Sequence, residues 1–179
     1  MSIEQLEKTI ERLRKHHESS FLPPQTEELV QKAEQKLDVT FPPTFRHFLR
    51  ALGSGDVSGV EFFGIVDARF DHGPPDAVSC TLEFRHETDL PRHLVVVFDH
   101  GDGTRFSMLD TSRRDSRGEC PVVCFSPQGG VWRELHKEAD DYAAFLHAQV
   151  ESILDRDGHS RAPARDEPDF DDGDLEDDF

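Results

Sequence analysis

The chain has 179 residues, 37 acidic side chains against 20 basic ones, and a formal net charge of -17. That sign excludes a general affinity for DNA, RNA or anionic membrane, which need a cationic surface to displace counterions. A hydrophobic content of 35% with 14 Phe is enough for one domain that builds its own core.

In chain order, Ile3, Leu6, Ile10 and Leu13 mark one narrow apolar seam on a charged helix that ends near His16-His17. The segment SSFLPPQT reads as a break. Thr26 then caps a second helix carrying Leu29, Val30, Ala33 and Leu37 on its inner side. Pro42 and Pro43 sit where a third helix can begin, because Pro lacks the amide hydrogen that a first turn leaves unpaired. Phe45, Phe48, Leu49 and Leu52 supply its buried face, and Gly53 stops it. A Gly- and Ser-rich turn follows, leading into an apolar strand from Val60 to Val66.

DARFDHGPPD is a loop. Ala77 to His86 carries β-branched residues, yet Val78, Leu82 and Arg85 stand at helical intervals, and helix is preferred. LVVVF at Leu94 to Phe98 shows no alternation, so it is expected at the centre of a sheet with both faces covered. The turn Asp99-His100-Gly101-Asp102-Gly103 leads to TRFSMLDT and makes a hairpin. CPVVCF and Val131-Trp132-Arg133-Glu134 give further strands, with Pro121 at a strand start or an edge. A last helix runs from Asp140 to Leu154 with Tyr142, Phe145, Leu146, Gln149, Val150 and Ile153 on overlapping faces. Residues 155–179 hold 11 acids and 3 bases, too polar to order themselves, and are expected to form a disordered tail.

Three Cys, an odd number, fit reduced buried thiols rather than a disulfide framework. Cys120 and Cys124 span roughly 13 Å along a straight strand, too far for a bridge. No second Cys/His pair at ligand spacing joins them, so no metal and no cofactor is expected. The N-terminus has no apolar signal core and no stretch reaches membrane-spanning length, so the expected location is the cytoplasm.

Taken together, FPPTFRHFLRALGSG, FFGIVD, DAVSCTLEFR, LPRHLVVVFDHGDGTRFSMLD, GECPVVCF and DDYAAFLHAQV resemble, in order and gaps from about residue 25 to 150, the SUKH superfamily. These are the Smi/Knr-like proteins, which include a yeast cell-wall synthesis regulator and many bacterial toxin-immunity proteins. Phe41 stands where Leu is usual, and Met108 where many relatives place a small residue or Cys; both stay apolar. The resemblance implies an α+β fold with helices around a twisted, largely antiparallel sheet. It also implies action by binding proteins, with no catalytic set carried over. The expected organisation is a helix and linker over 1–22, the SUKH-like domain over 23–154, and the tail over 155–179.

VVVFDHGDGT superficially resembles the haloacid-dehalogenase phosphatase signature. That chemistry needs its two Asp two residues apart on one face, whereas Asp99 and Asp102 are three apart, as in an Asp- and Gly-rich turn. Asp99, His100 and Asp102, like Asp71-His72 and His16-His17, read as solvated groups rather than ligands or nucleophile partners. Trp132 reads either as core or as a partner anchor. The expected function is therefore a non-enzymatic immunity protein that binds a basic toxin domain such as a nuclease. Its candidate partner-binding residues are Asp56, Asp99, Asp102, Asp110, Glu119 and Trp132. A regulatory or scaffold module with non-toxin partners is the alternative, and a hydrolase using Asp99 is the third reading.

Overall fold

The computed structural model describes residues 3–160. Its elements run α1 (Ile3–Lys15), β1 (Ser19–Phe21), α2 (Glu27–Leu37), α3 (Pro43–Leu52), β2 (Gly55–Val57), β3 (Val60–Phe62), α4 (Ala77–Glu87), β4 (Leu94–Asp99), β5 (Phe106–Asp110), β6 (Val122–Gln128), β7 (Val131–Ala139) and α5 (Tyr142–Ser160). The seven strands form one sheet in the order β1-β2-β3-β4-β5-β6-β7, and each neighbouring pair is antiparallel. This is an α+β domain.

Local chemistry explains the helix ends. The Thr26 hydroxyl accepts a hydrogen bond from the Leu29 amide at 3.2 Å, and Asp38 closes α2 in the left-handed region. Asp76 Oδ1 accepts from the amides of Val78 and Ser79, starting α4. Asp141 Oδ1 accepts from the Ala144 amide at 2.8 Å, starting α5. The preferred helical reading of Ala77 to His86 is therefore correct.

β4 lies mid-sheet with Leu94 to Phe98 all buried, as its unbroken apolar run predicts. Phe98 and Phe106 point to opposite faces, because Phe106 pairs with Asp99, the residue after Phe98. Phe98 meets Phe145 of α5 at 5.7 Å. Phe106 meets Phe84 of α4 at 4.9 Å. Helices thus cover both sides of the central strands. On the α5 side, Tyr142 packs on Phe45 at 4.8 Å and on Phe48 at 5.2 Å between ring centroids, joining α3 to α5.

The structure differs from the sequence reading in four places. SSFLPPQT is not wholly a break, since Ser19–Phe21 pairs with β2 as a short edge strand. The Gly/Ser turn holds β2, joined to β3 through Ser58 and Gly59, both at positive φ, the two-residue hairpin geometry. The strand after it ends at Phe62 rather than Val66, because the chain turns away: Gly64 donates to the Pro75 carbonyl at 3.0 Å, and its own carbonyl accepts from Ala77 at 2.8 Å. A Cβ on Gly64 would lie 1.8 Å from the Gly53 carbonyl oxygen, so only glycine fits. Finally, α5 runs to Ser160, taking in six residues expected in the tail. The rest of that expectation, 161–179, lies outside the described residues.

β7 forms one edge of the sheet, with Val131 and Leu135 exposed. All three cysteines are free and buried. Among the described residues no helix is long and apolar enough to cross a membrane.

The Tyr142 side chain is wholly buried, yet its hydroxyl has no hydrogen-bond partner among the described residues. Tyr142→Phe removes that desolvated group and keeps the ring contacts, so it is expected to raise the unfolding free energy by about 1 kcal/mol, read from urea denaturation.

Candidate functional site

The sheet gathers carboxylates that the sequence scatters. Asp56 of β2 lies directly opposite Glu61 of β3. Phe62 pairs with Phe98 of β4, and Glu61 and Asp99 are the next residues outward on the two strands, on either side of the cleft that opens there. The three acids form a row across three adjacent strands, on the face opposite Phe62 and Phe98. The Cys80 thiol on α4 is pushed up to about 12, first by burial and then by the charges of Asp76, Glu83, Glu61 and Asp99.

Like charges directly opposed across strands repel, and the local bonds do not neutralise the row. Asp56 accepts only a 3.3 Å bond from the Gly59 amide, and Asp99 a 2.8 Å bond from the Gly101 amide. Beside the row, at the ends of β3 and β4, is a cleft of ≈ 340 Å³ whose walls include Glu61, Asp99, His100, Gln149 and Ser152.

The remaining sequence candidates have other surroundings. Asp102 is exposed and organises its own turn, accepting from the Thr104 amide and hydroxyl and from the Arg105 amide and Nε. Those bonds, led by Arg105, hold its carboxyl well below the usual range. Its geometry is that of a turn rather than of a phosphatase acid beside Asp99. Asp110 is only 4% exposed and accepts from the Ser112 amide and hydroxyl and from Arg113 Nε. Glu119, 5% exposed, accepts from the Thr44 amide at 3.0 Å and the Thr44 hydroxyl at 2.7 Å. It thereby caps α3, where Pro42 has no side chain able to do so. Burial raises the Glu119 pKa. Asp110 and Glu119 are thus largely buried in the free chain, where their acidity serves the fold. Trp132 is half-buried against Phe84 and Phe106, and its Nε1 donates to Thr88 Oγ1 at 2.8 Å.

Of the six candidates, then, the structure places Asp56 and Asp99 on neighbouring parts of one sheet face and adds Glu61, which sequence reasoning missed. A usable signal for Glu61 is its place just past the Ser58-Gly59 turn that follows Asp56, but only the register settles which residues oppose. Two mixed clusters offer metal-type donors among the described residues: Asp67–Asp71–His72 and His100–Cys124–Glu138. The first is already occupied by Arg69, which contacts all three side chains.

The family model described as SMI1-KNR4 cell-wall, SUKH_5, matches residues 2–148. The chain belongs to this SMI1-KNR4 family. The crystal structure of a protein from Pseudomonas syringae pv. tomato has the same fold, with a TM-score of 0.55 over 83% of this chain and 98% of that one, at 16% sequence identity. The order of pieces that resembles the SUKH superfamily therefore corresponds to a shared fold, and the SMI1-KNR4 match extends over α1 as well.

Two outcomes follow from these charges. Glu61→Lys converts the Asp56 opposition into an opposite-charge pair and is expected to stabilise the isolated chain by about 0.5 kcal/mol in thermal or urea unfolding. For Asp110, burial is the largest single influence and opposes ionisation, but the bonds from Ser112 and Arg113 together outweigh it and leave the pKa below the ordinary 3.8. A carboxyl with a depressed folded pKa contributes stability above its unfolded value and loses it as pH falls through the folded one. Asp110→Asn should therefore cost about 2 kcal/mol at pH 7, and the gap to the parent should narrow in urea titrations taken below the ordinary 3.8.

Proposed function

We propose that this chain is a cytoplasmic, non-catalytic immunity protein that neutralises a toxin by stoichiometric binding, with the Asp56–Glu61–Asp99 row as its contact for a basic toxin domain such as a nuclease. The observation that carries this reading is the opposition of Asp56 and Glu61 across β2 and β3. Their repulsion is a standing cost to the free chain, relieved when a partner's Arg or Lys inserts between them. The acidic body also attracts such a partner at long range and so accelerates encounter. Occupying the cationic surface that a toxin uses for its own substrate blocks it without turnover. The SUKH resemblance supports the same reading, since that superfamily includes toxin-immunity proteins.

A second reading is favoured by the cell-wall wording of the matching family description: an intracellular regulatory or scaffold module with non-toxin partners. A toxin gene found beside the one for this chain, and survival of cells expressing that toxin when this chain is co-expressed, would favour the first; absence of any such rescue would favour the second.

Calorimetric titration of the full chain against that toxin domain tests the contact. Asp56→Lys and Asp99→Lys are each expected to weaken binding roughly tenfold or more, and raising salt to weaken the parent complex. Glu61→Lys is the sharpest arm, because it should stabilise the fold while weakening the complex. Unchanged affinity in all three variants would reject the acidic row as the contact.

A further inference from the structure

We propose that His100, Cys124 and Glu138 form a binding site for a divalent transition-metal ion, with zinc the best match to the donors. Their donor atoms, an imidazole nitrogen, a thiol sulfur and a carboxylate oxygen, lie within 4.8 Å of one another. Tetrahedral zinc with bonds of about 2.0–2.3 Å sets such atoms roughly 3.5 Å apart, so side-chain rotation must close up to about 1.3 Å. His100 Nε2 and Glu138 Oε1 already stand 3.4 Å apart.

Three features distinguish this group from a chance cluster. The first is the way the sheet is built. Val122 pairs with Ala139 and Val123 with Lys137, leaving Glu138 as the extra residue of a β-bulge in β7. Bulges re-aim side chains, and this one turns a carboxylate from an otherwise exposed strand inward, to 11% side-chain exposure. The second is an unmet polar atom: the Glu138 carboxylate is bonded by His100 and Ser107, but its Oε2 is buried and has no hydrogen-bond partner among the described residues, a cost that a cation would relieve. The third is access. Cys124 is fully buried, but His100 keeps 17% side-chain exposure and lines the ≈ 340 Å³ cleft, giving an ion an entry path.

Ser107 Oγ lies 3.0 Å from His100 Nε2 and orients the ring in the metal-free state. Binding forms a zinc–sulfur bond, and the Cys124 thiol proton leaves to solvent. Three protein donors leave a tetrahedral ion one further position. The donors belong to the turn after β4, to β6 and to β7, so the ion would fasten the exposed edge strand to the middle of the sheet. Ser107 and Cys124 pair with each other, and Ser107 with Phe98. The site is thus on the side opposite the acidic row, and its failure would leave the proposed contact untouched.

Cobalt(II) titrated into the full chain is the test. The expected result is saturation at one equivalent, with tetrahedral ligand-field bands and a thiolate-to-cobalt charge-transfer band that zinc abolishes by displacement. Cys124→Ser and His100→Gln should each lose the charge-transfer band, whereas Cys80→Ser, Cys120→Ser and His72→Ala should keep it. His100 is on a partly exposed turn, so His100→Gln is the variant expected to retain the parent's circular dichroism if Cys124→Ser unfolds. Zinc should also raise the Tm of the parent and not of His100→Gln. No saturable cobalt spectrum in the parent, or a charge-transfer band that survives in His100→Gln, would overturn the site.

Discussion

The backbone contact between Gly53 and Gly64 fixes the arrangement of everything around it. Gly53 ends α3 at positive φ, and its carbonyl accepts from the Ile65 amide at 3.2 Å. Gly64 approaches so closely that a methyl group would overlap the same carbonyl. Ser54 reinforces the junction by reaching the Phe62 and Pro75 carbonyls at 3.2 and 2.8 Å. The end of one helix, the exit from the β2–β3 hairpin and the start of another helix therefore meet at one point. The hairpin that carries Asp56 and Glu61 is held in place by this junction as well as by its own three-residue strands. Loops anchored in this way can bear functional charge without losing their geometry.

Elements with local punctuation were legible in the sequence. Pro42-Pro43 and Gly53 bracket α3, Thr26 announces α2, and the apolar run of β4 declares a central strand. Elements that exist only through a partner were not. Three residues of β1 or β2 carry too little pattern to stand out, and their strand character comes from pairing. The same division holds for side chains. Asp56 and Asp99 could be suspected from their loops, but the opposition of Asp56 with Glu61 depends on register. The Thr44–Glu119 cap joins residues 75 apart in sequence, which no local rule anticipates. His100, Cys124 and Glu138 come from three separate segments, and a search for paired Cys/His ligands passes over them.

Basic residues are used differently from acidic ones in this fold. Arg113 bridges Asp110 and Glu134, Arg114 donates to the Gly118 and Thr40 carbonyls, and Arg117 pairs with Asp115. Together they organise the long loop between β5 and β6. Arg105 and Arg69 do the same for their own turns. Cationic groups are thus spent on internal bonds, while the carboxylates of the β2–β3–β4 row receive little in return. The net charge of -17 therefore includes a local excess of carboxylates where β2, β3 and β4 lie side by side.

The nine-residue β7 has a bearing on how copies of this chain behave at high concentration. An exposed edge of that length invites another strand to add, and the opposite edge escapes by being only three residues long. For β7 the protection is arithmetical. An antiparallel duplex centred on Leu135 would set Arg133 against Lys137, and one centred on Glu134 would set that carboxylate against its own copy. With two bulges also breaking its straightness, the strand is a poor template for a fibril.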